Sequence, residues 1–181
     1  MPDELDALAR DLNEQMSAFL VALAQVAAGD EPDFALSVLM LEISQLALAG
    51  GRLAALADIA PDEDFEADAG PDADLDSLRD GLRQLLGDVD VYVDVVDPMH
   101  PEQGTAVCRI SDELAVVASD LVHGLQHYAN GRVVEAMWWW QFSYLATWGA
   151  ALTSATRAVH SLVAHTRLDA DRPVTSAGTM V

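Results

Sequence analysis

Asp120, His123 and His127 sit at i, i+3 and i+7 in the stretch SDLVHGLQHYANG, so a helix there carries all three on one side. Two imidazoles so spaced, with a carboxylate beside them, suit a single metal ion. Glu42 is the one acid inside the apolar stretch FALSVLMLEISQLALAGGRLAALA, residues 34–57, and Arg157 is the first base after the uncharged run 136–156. A charge buried in such surroundings needs a partner, so Glu42 is expected to pair with Arg157, His123 or His127. Glu42, Asp120, His123, His127 and Arg157 are therefore the candidates for a metal or small-ligand site, in a polar cleft between the fourth and last helices. The pattern falls short of a dinuclear carboxylate centre, which needs acids from several helices and two Glu-x-x-His motifs. Asp120-x-x-His123 is the only approximation on an expected helix.

Other chemistries are poorly served. Cys108 is the single thiol, and no strand–nucleophile–helix turn surrounds it, although five histidines (His100, His123, His127, His160 and His165) are available as bases. The chain has no Walker-type phosphate loop and no GxGxxG, and Gly50-Gly51 falls in mid-helix, where it cannot cradle phosphate. No catalytic residue is assigned, no cofactor is expected, and the balance leans away from an enzyme.

The most unusual stretch is EAMWWWQFSYLATWG, residues 135–149, with four tryptophans, a phenylalanine and a tyrosine. At about 100° per residue, three consecutive tryptophans fan over too wide an arc to line one pocket. Trp138, Phe142, Leu145, Gly149, Leu152, Thr156, Val159 and Val163 follow a four-three repeat and are read as the packing seam of a central helix. Trp148 falls on its flank. Trp139, Trp140 and Tyr144 lie off the seam, next to the loop 97–110, and are the candidates for a partner-binding rim, since exposed Trp and Tyr are favoured anchors. Gln141, Ser143, Tyr144, Thr147, Thr153, Ser154 and Thr156 make the uncharged run too polar for a membrane span.

These residues need a scaffold, and the periodicity supplies it. Leu5, Leu8, Leu12, Met16, Phe19, Leu20, Leu23 and Ala27 mark an amphipathic first helix stopped by Gly29. Residues 34–57 are apolar on nearly all sides and predict a central helix, with Gly50 and Gly51 as a kink or a close approach. Residues 58–76 hold nine acids, no base and two prolines, an acidic surface connection anchored by little beyond Phe65. LDSLRDGLRQLL is a short amphipathic helix ending at Gly87. Over 88–96, DVDVYVDVV alternates like a strand but also places Val89, Tyr92, Val93 and Val96 on one helical face; with no partner strand in view, helix is preferred. PMHPEQGTAVCR reads as loop, Ser111 as the N-cap of the fourth helix, and Asn130-Gly131 as its end. The last helix covers about 133–165, and 169–181 reads as a disordered tail.

The 181 residues allow one domain with a proper core, here 1–168. The fold class is all-α: a bundle of five to six helices with 34–57 and 133–165 central. All nine basic residues are arginine against 21 Asp and 9 Glu, a net charge of −21. That charge repels phosphate backbones, so direct nucleic-acid binding is not expected. One cysteine and an acidic N-terminal stretch without a signal pattern fit a cytoplasmic protein.

The blocks LEISQLALAGGRL, RISDELAVVASDLVHGLQHYANGRVVEAMWWWQFSYLATWGA and RAVHSLVAH resemble an uncharacterised actinobacterial family catalogued as a domain of unknown function. The resemblance covers about 3–168. It implies a small all-helical protein, favours helix over 88–96, and brings no catalytic residue with it. The functional expectation is a non-enzymatic protein-binding or adaptor module with an unknown protein partner; the alternative is the metal- or small-ligand-binding bundle.

Overall fold

The computed structural model describes residues 2–30, 32–61 and 68–169. Six α-helices and one hairpin follow each other: α1 (Pro2–Ala28), α2 (Ala35–Ala54), α3 (Asp76–Leu86), β1 (Val91–Val95), β2 (Thr105–Arg109), α4 (Ile110–Ala129), α5 (Val133–Ser143) and α6 (Gly149–Asp169). A π-helical turn, Tyr144–Trp148, joins α5 to α6 without a break, so the bundle has five or six helices depending on how that long helix is counted. The expected tail lies outside the described residues from 170 onward, as does Phe65.

The core follows the sequence periodicity closely in α1, where Leu12, Met16, Phe19 and Leu23 are buried. Gly29 and Gly131 end α1 and α4 in the left-handed region (φ 76° and 77°), which glycine enters without the steric cost of a side chain. One continuous hydrophobic cluster runs from Ala9 to Val159 through all six helices. α2 touches α1, α5, the π turn and α6, yet Phe34, Leu41 and Leu48 on its outward stripe remain exposed. By length and composition alone, Pro32–Ala54 could also cross a bilayer.

Two expectations about local structure change. Residues 91–95 form a strand and not a helix, because TAVCR, expected as loop, supplies its antiparallel partner in the register Val91↔Arg109, Val93↔Val107 and Val95↔Thr105. Alternation decides the faces: Val91, Val93 and Val107 point to solvent, while Tyr92, Asp94, Ala106 and Cys108 face the bundle. Ser111 is not the N-cap either. It is the second residue of α4, and its N–H and Oγ each donate to the buried carboxylate of Asp90 at 2.8 Å. Asp90 therefore satisfies an orphan donor of the first turn and places a negative charge at the positive end of the helix.

The acidic connection is held by polar contacts where apolar anchorage is scarce. Gln126, Asn130 and Arg132 donate to the carbonyls of Pro71, Ala69 and Asp68. Further upstream, Gln141 (4% exposed) receives the Ile59 N–H at 2.8 Å and donates to the carbonyls of Leu53 and Ala57 at 3.1 and 3.2 Å. One buried amide thus ties the end of α2 to α5.

Candidate functional site

The tryptophan block owes its arrangement to the π turn. The Gly149 N–H bonds to the Tyr144 carbonyl five residues earlier, so the turn holds one residue more than an α-helix would. A four-three count carried straight through 138–163 is therefore one position out of phase upstream of the turn. Downstream, Gly149, Leu152 and Val159 are buried as expected; upstream the core positions are Ala136, Met137, Trp140 and Gln141. Phe142 (52% exposed) and Leu145 (65%), assigned to the seam, face solvent instead. Trp138 is only partly buried, and its ring stacks on Phe142 with centroids 5.7 Å apart and planes within 12°.

Of the three residues expected at a partner-binding rim, Trp140 contributes no surface. It is fully buried, its indole lies over Gly124 of α4, and its Nε1 donates to the Leu121 carbonyl at 3.4 Å. Trp139 is half-buried on α4, donating to the Asp120 carbonyl at 2.9 Å with its ring 4.0 Å from that of His123. Tyr144 is partly buried and wedged between Gly50 of α2 and Gly149, its ring against Trp148. Gly50 thus serves close approach, and the Gly51 Cα faces open space. Ser143, Thr147, Thr153 and Thr156 hydrogen-bond the carbonyls four residues earlier, which removes most of the cost of their polarity.

The five candidates for a metal or ligand site are dispersed. Glu42 lies on the α1–α2 side in a shallow groove with Asp11, Glu14 and Gln45, far from Arg157, and the expected Glu42–Arg157 pair does not form. Asp120 accepts a hydrogen bond from Thr147, and burial raises its carboxyl pKa. The His123 and His127 rings meet edge to face at 5.1 Å, with His127 buried. Among the described residues no group of three or more His, Cys, Asp and Glu side chains could hold a metal ion.

A cleft does exist, but in a different place. α4 and α6 pack directly on each other, and the hairpin leans over the first half of α6 to enclose about 640 Å³. Its walls include Val96, Pro98, Ala106, Tyr144, Leu145 and Ala150, and its polar groups include Asp94, Cys108, Glu113, Ser154 and Arg157. Asp94 is buried and joins the hairpin to α6: its carboxylate pairs with Arg157 and accepts from Ser154, whose hydroxyl also bonds the Tyr92 hydroxyl at 2.7 Å. Burial pushes the Tyr92 phenol up to about 12. It also raises Cys108, with the neighbouring Glu113 charge adding to the effect. Burial raises Glu113 too, partly offset by the neighbouring Cys108 thiol. Neither hydroxyl nor thiol is activated as a nucleophile.

Sequence reasoning pointed to Arg157 but missed Asp94, Glu113 and Ser154. The inward phase of the 91–95 alternation was the available signal for Asp94. The polarity of the α6 N-terminal half was the signal for Ser154.

Comparison with known proteins places the fold. Protein BF1032 from Bacteroides fragilis, a solved structural-genomics target, superposes with a TM-score of 0.64 at 15% identity, over 94% of this chain and 94% of that chain. At that identity the likeness speaks for the helical fold alone. None of the curated proteins compared matches the chain. Residues 3–165, nearly the whole described bundle, match the family DUF5063, described as a domain of unknown function, and the chain belongs to that family.

Proposed function

We propose that this chain is a non-enzymatic protein-binding module, docking a partner along the ridge Trp138, Phe142 and Leu145 and in the cleft into which that ridge runs. The ridge carries the reading. It is an uncharged aromatic and aliphatic surface on a chain with a net charge of −21, and Leu145 belongs both to it and to the cleft wall. Contiguous exposed apolar surface of this kind favours interaction sites, and aromatic side chains are preferred anchors there. Trp139 and Tyr144 flank the ridge as supports, one held on α4 and the other on α2. The raised Cys108 and Tyr92 support a binding site over a catalytic one.

Capture from cell extract with wild-type protein, Phe142→Asp and Leu145→Asp tests the proposal, followed by titration with the purified partner. Both positions are exposed, so each variant should keep its stability within about 0.5 kcal/mol. Equal capture by folded wild type and both variants would remove the ridge as the docking surface. A second reading follows from the cleft's volume, which lies within the roughly 300–1,000 Å³ usual for small-ligand pockets. Native mass spectrometry of the protein as isolated distinguishes the two, since a resident ligand adds a discrete mass.

A further inference from the structure

We infer that the cleft receives a positively charged side chain of the docked partner, lysine or arginine, with the Glu113 carboxylate as its counter-ion; this rests on the docking reading above. The charge distribution inside the cleft leads there. Among the described residues that line the cleft Arg157 is the one base, and Asp94 already takes its charge while accepting from Ser154. Glu113, from the first turn of α4, has no basic side chain in ion-pair contact among the described residues. The Cys108 thiol that lines the cleft with it is a weak donor, and its Sγ is directed to the Ala106 carbonyl at 3.9 Å.

A partner seated on the ridge covers Leu145, which also lines the cleft. That removes water from Glu113, and covering a carboxylate with an apolar or acidic surface is unfavourable. An ammonium or guanidinium group reverses the sign. Val96, Pro98, Leu145 and Ala150 offer apolar walls for the methylene stem of such a side chain, leaving its charged end to the Glu113 carboxylate. The net charge of −21 further favours encounter with a basic partner. The partner segment is therefore apolar with an embedded basic residue.

Three otherwise identical capped decapeptides test this, with lysine, norleucine or glutamate at the centre of a leucine- and serine-containing sequence. Binding is read by fluorescence anisotropy with wild type, Glu113→Gln, Glu42→Gln and Leu145→Asp. Glu113→Gln keeps the side-chain shape and removes a desolvated charge, so it should fold; thermal melting confirms it. The lysine peptide should bind wild type about tenfold tighter than the norleucine peptide, the effect of one charge-assisted hydrogen bond. Glu113→Gln should abolish that preference without weakening norleucine binding. Glu42→Gln, an equal charge change outside the cleft, should leave the preference intact.

Equal affinity of wild type for lysine and norleucine peptides, or equal losses in Glu113→Gln and Glu42→Gln, would overturn the counter-ion role of Glu113. Docking then stands if Leu145→Asp still abolishes binding of both peptides. No binding of any peptide to wild type at millimolar concentration would overturn both inferences.

Discussion

Gly50 and Gly51 are adjacent in α2, and replacing each by alanine should change stability in opposite directions. Both lie in helical backbone, where alanine is favoured over glycine by about 1 kcal/mol. At Gly51 a Cβ meets nothing within 4 Å, so Gly51→Ala should realise most of that gain, about 0.5–1 kcal/mol. At Gly50 the same Cβ lands on the Tyr144 ring. The ring cannot simply retreat, because it is wedged against Gly149 and Trp148. With the ring held in place, overpacking falls in the upper part of its usual range, about 2–3 kcal/mol, which exceeds the propensity gain and leaves Gly50→Ala destabilised by about 1–2 kcal/mol. For a chain of this length the melting temperature should fall by about 2–8 °C in Gly50→Ala and rise by about 1–4 °C in Gly51→Ala. Urea titration of both variants, with slopes compared to wild type, measures the difference directly. Tyr144→Ala supplies the control, since in that background Gly50→Ala should become stabilising. Two variants of the same sign, or a Gly50→Ala penalty that survives removal of the ring, would refute the wedge.

Gln141→Ala should cost about 2–3 kcal/mol, since it strips the Ile59 N–H and the end of α2 of their buried partner. Amide exchange at Ile59 should rise more than exchange in the α1 core. A pH effect should come from Glu113. Its folded pKa is raised above the ordinary 4.5 by burial, so the native state holds its proton more tightly than the unfolded chain. The stability this contributes is fully present below the unfolded pKa and is lost as pH rises through the raised value. Urea titrations across the mildly acidic range should therefore show Glu113→Gln gaining on wild type as pH increases, and a constant difference would contradict the assigned direction.

Most of the scaffold was readable because helices with local periodicity carry their own evidence. The α1 stripe from Leu5 to Leu23, the Gly29 and Asn130-Gly131 stops and the apolar runs of α2 and α6 all signal within a few residues of where they act. What escaped depends on partners distant in the chain. TAVCR is too short and too mixed to declare itself a strand until VYVDV lies beside it. Asp90 caps α4 from 21 residues upstream, so Ser111, a good cap by type, was credited with the role. Asp120, His123 and His127 have metal-compatible spacing, yet Trp139 of α5 and Thr147 of the π turn pack on His123 and Asp120. The apolar pattern of the tryptophan block was itself sound; an inserted residue at 144–148, which hydropathy does not record, shifted its phase.

That inserted residue constrains how this sequence can diverge. Losing one position from Tyr144–Trp148 would convert the π turn to regular α-helix and rotate everything before it by about 100° relative to α6. Trp140 and Gln141 would swing out of the core while the Phe142 face turned inward, so a single-codon deletion would act like several simultaneous core substitutions. A homologue that aligns without a gap from Val133 to Val159 should therefore carry the same π turn, and one with a single-residue gap there should show its aromatic positions displaced by one.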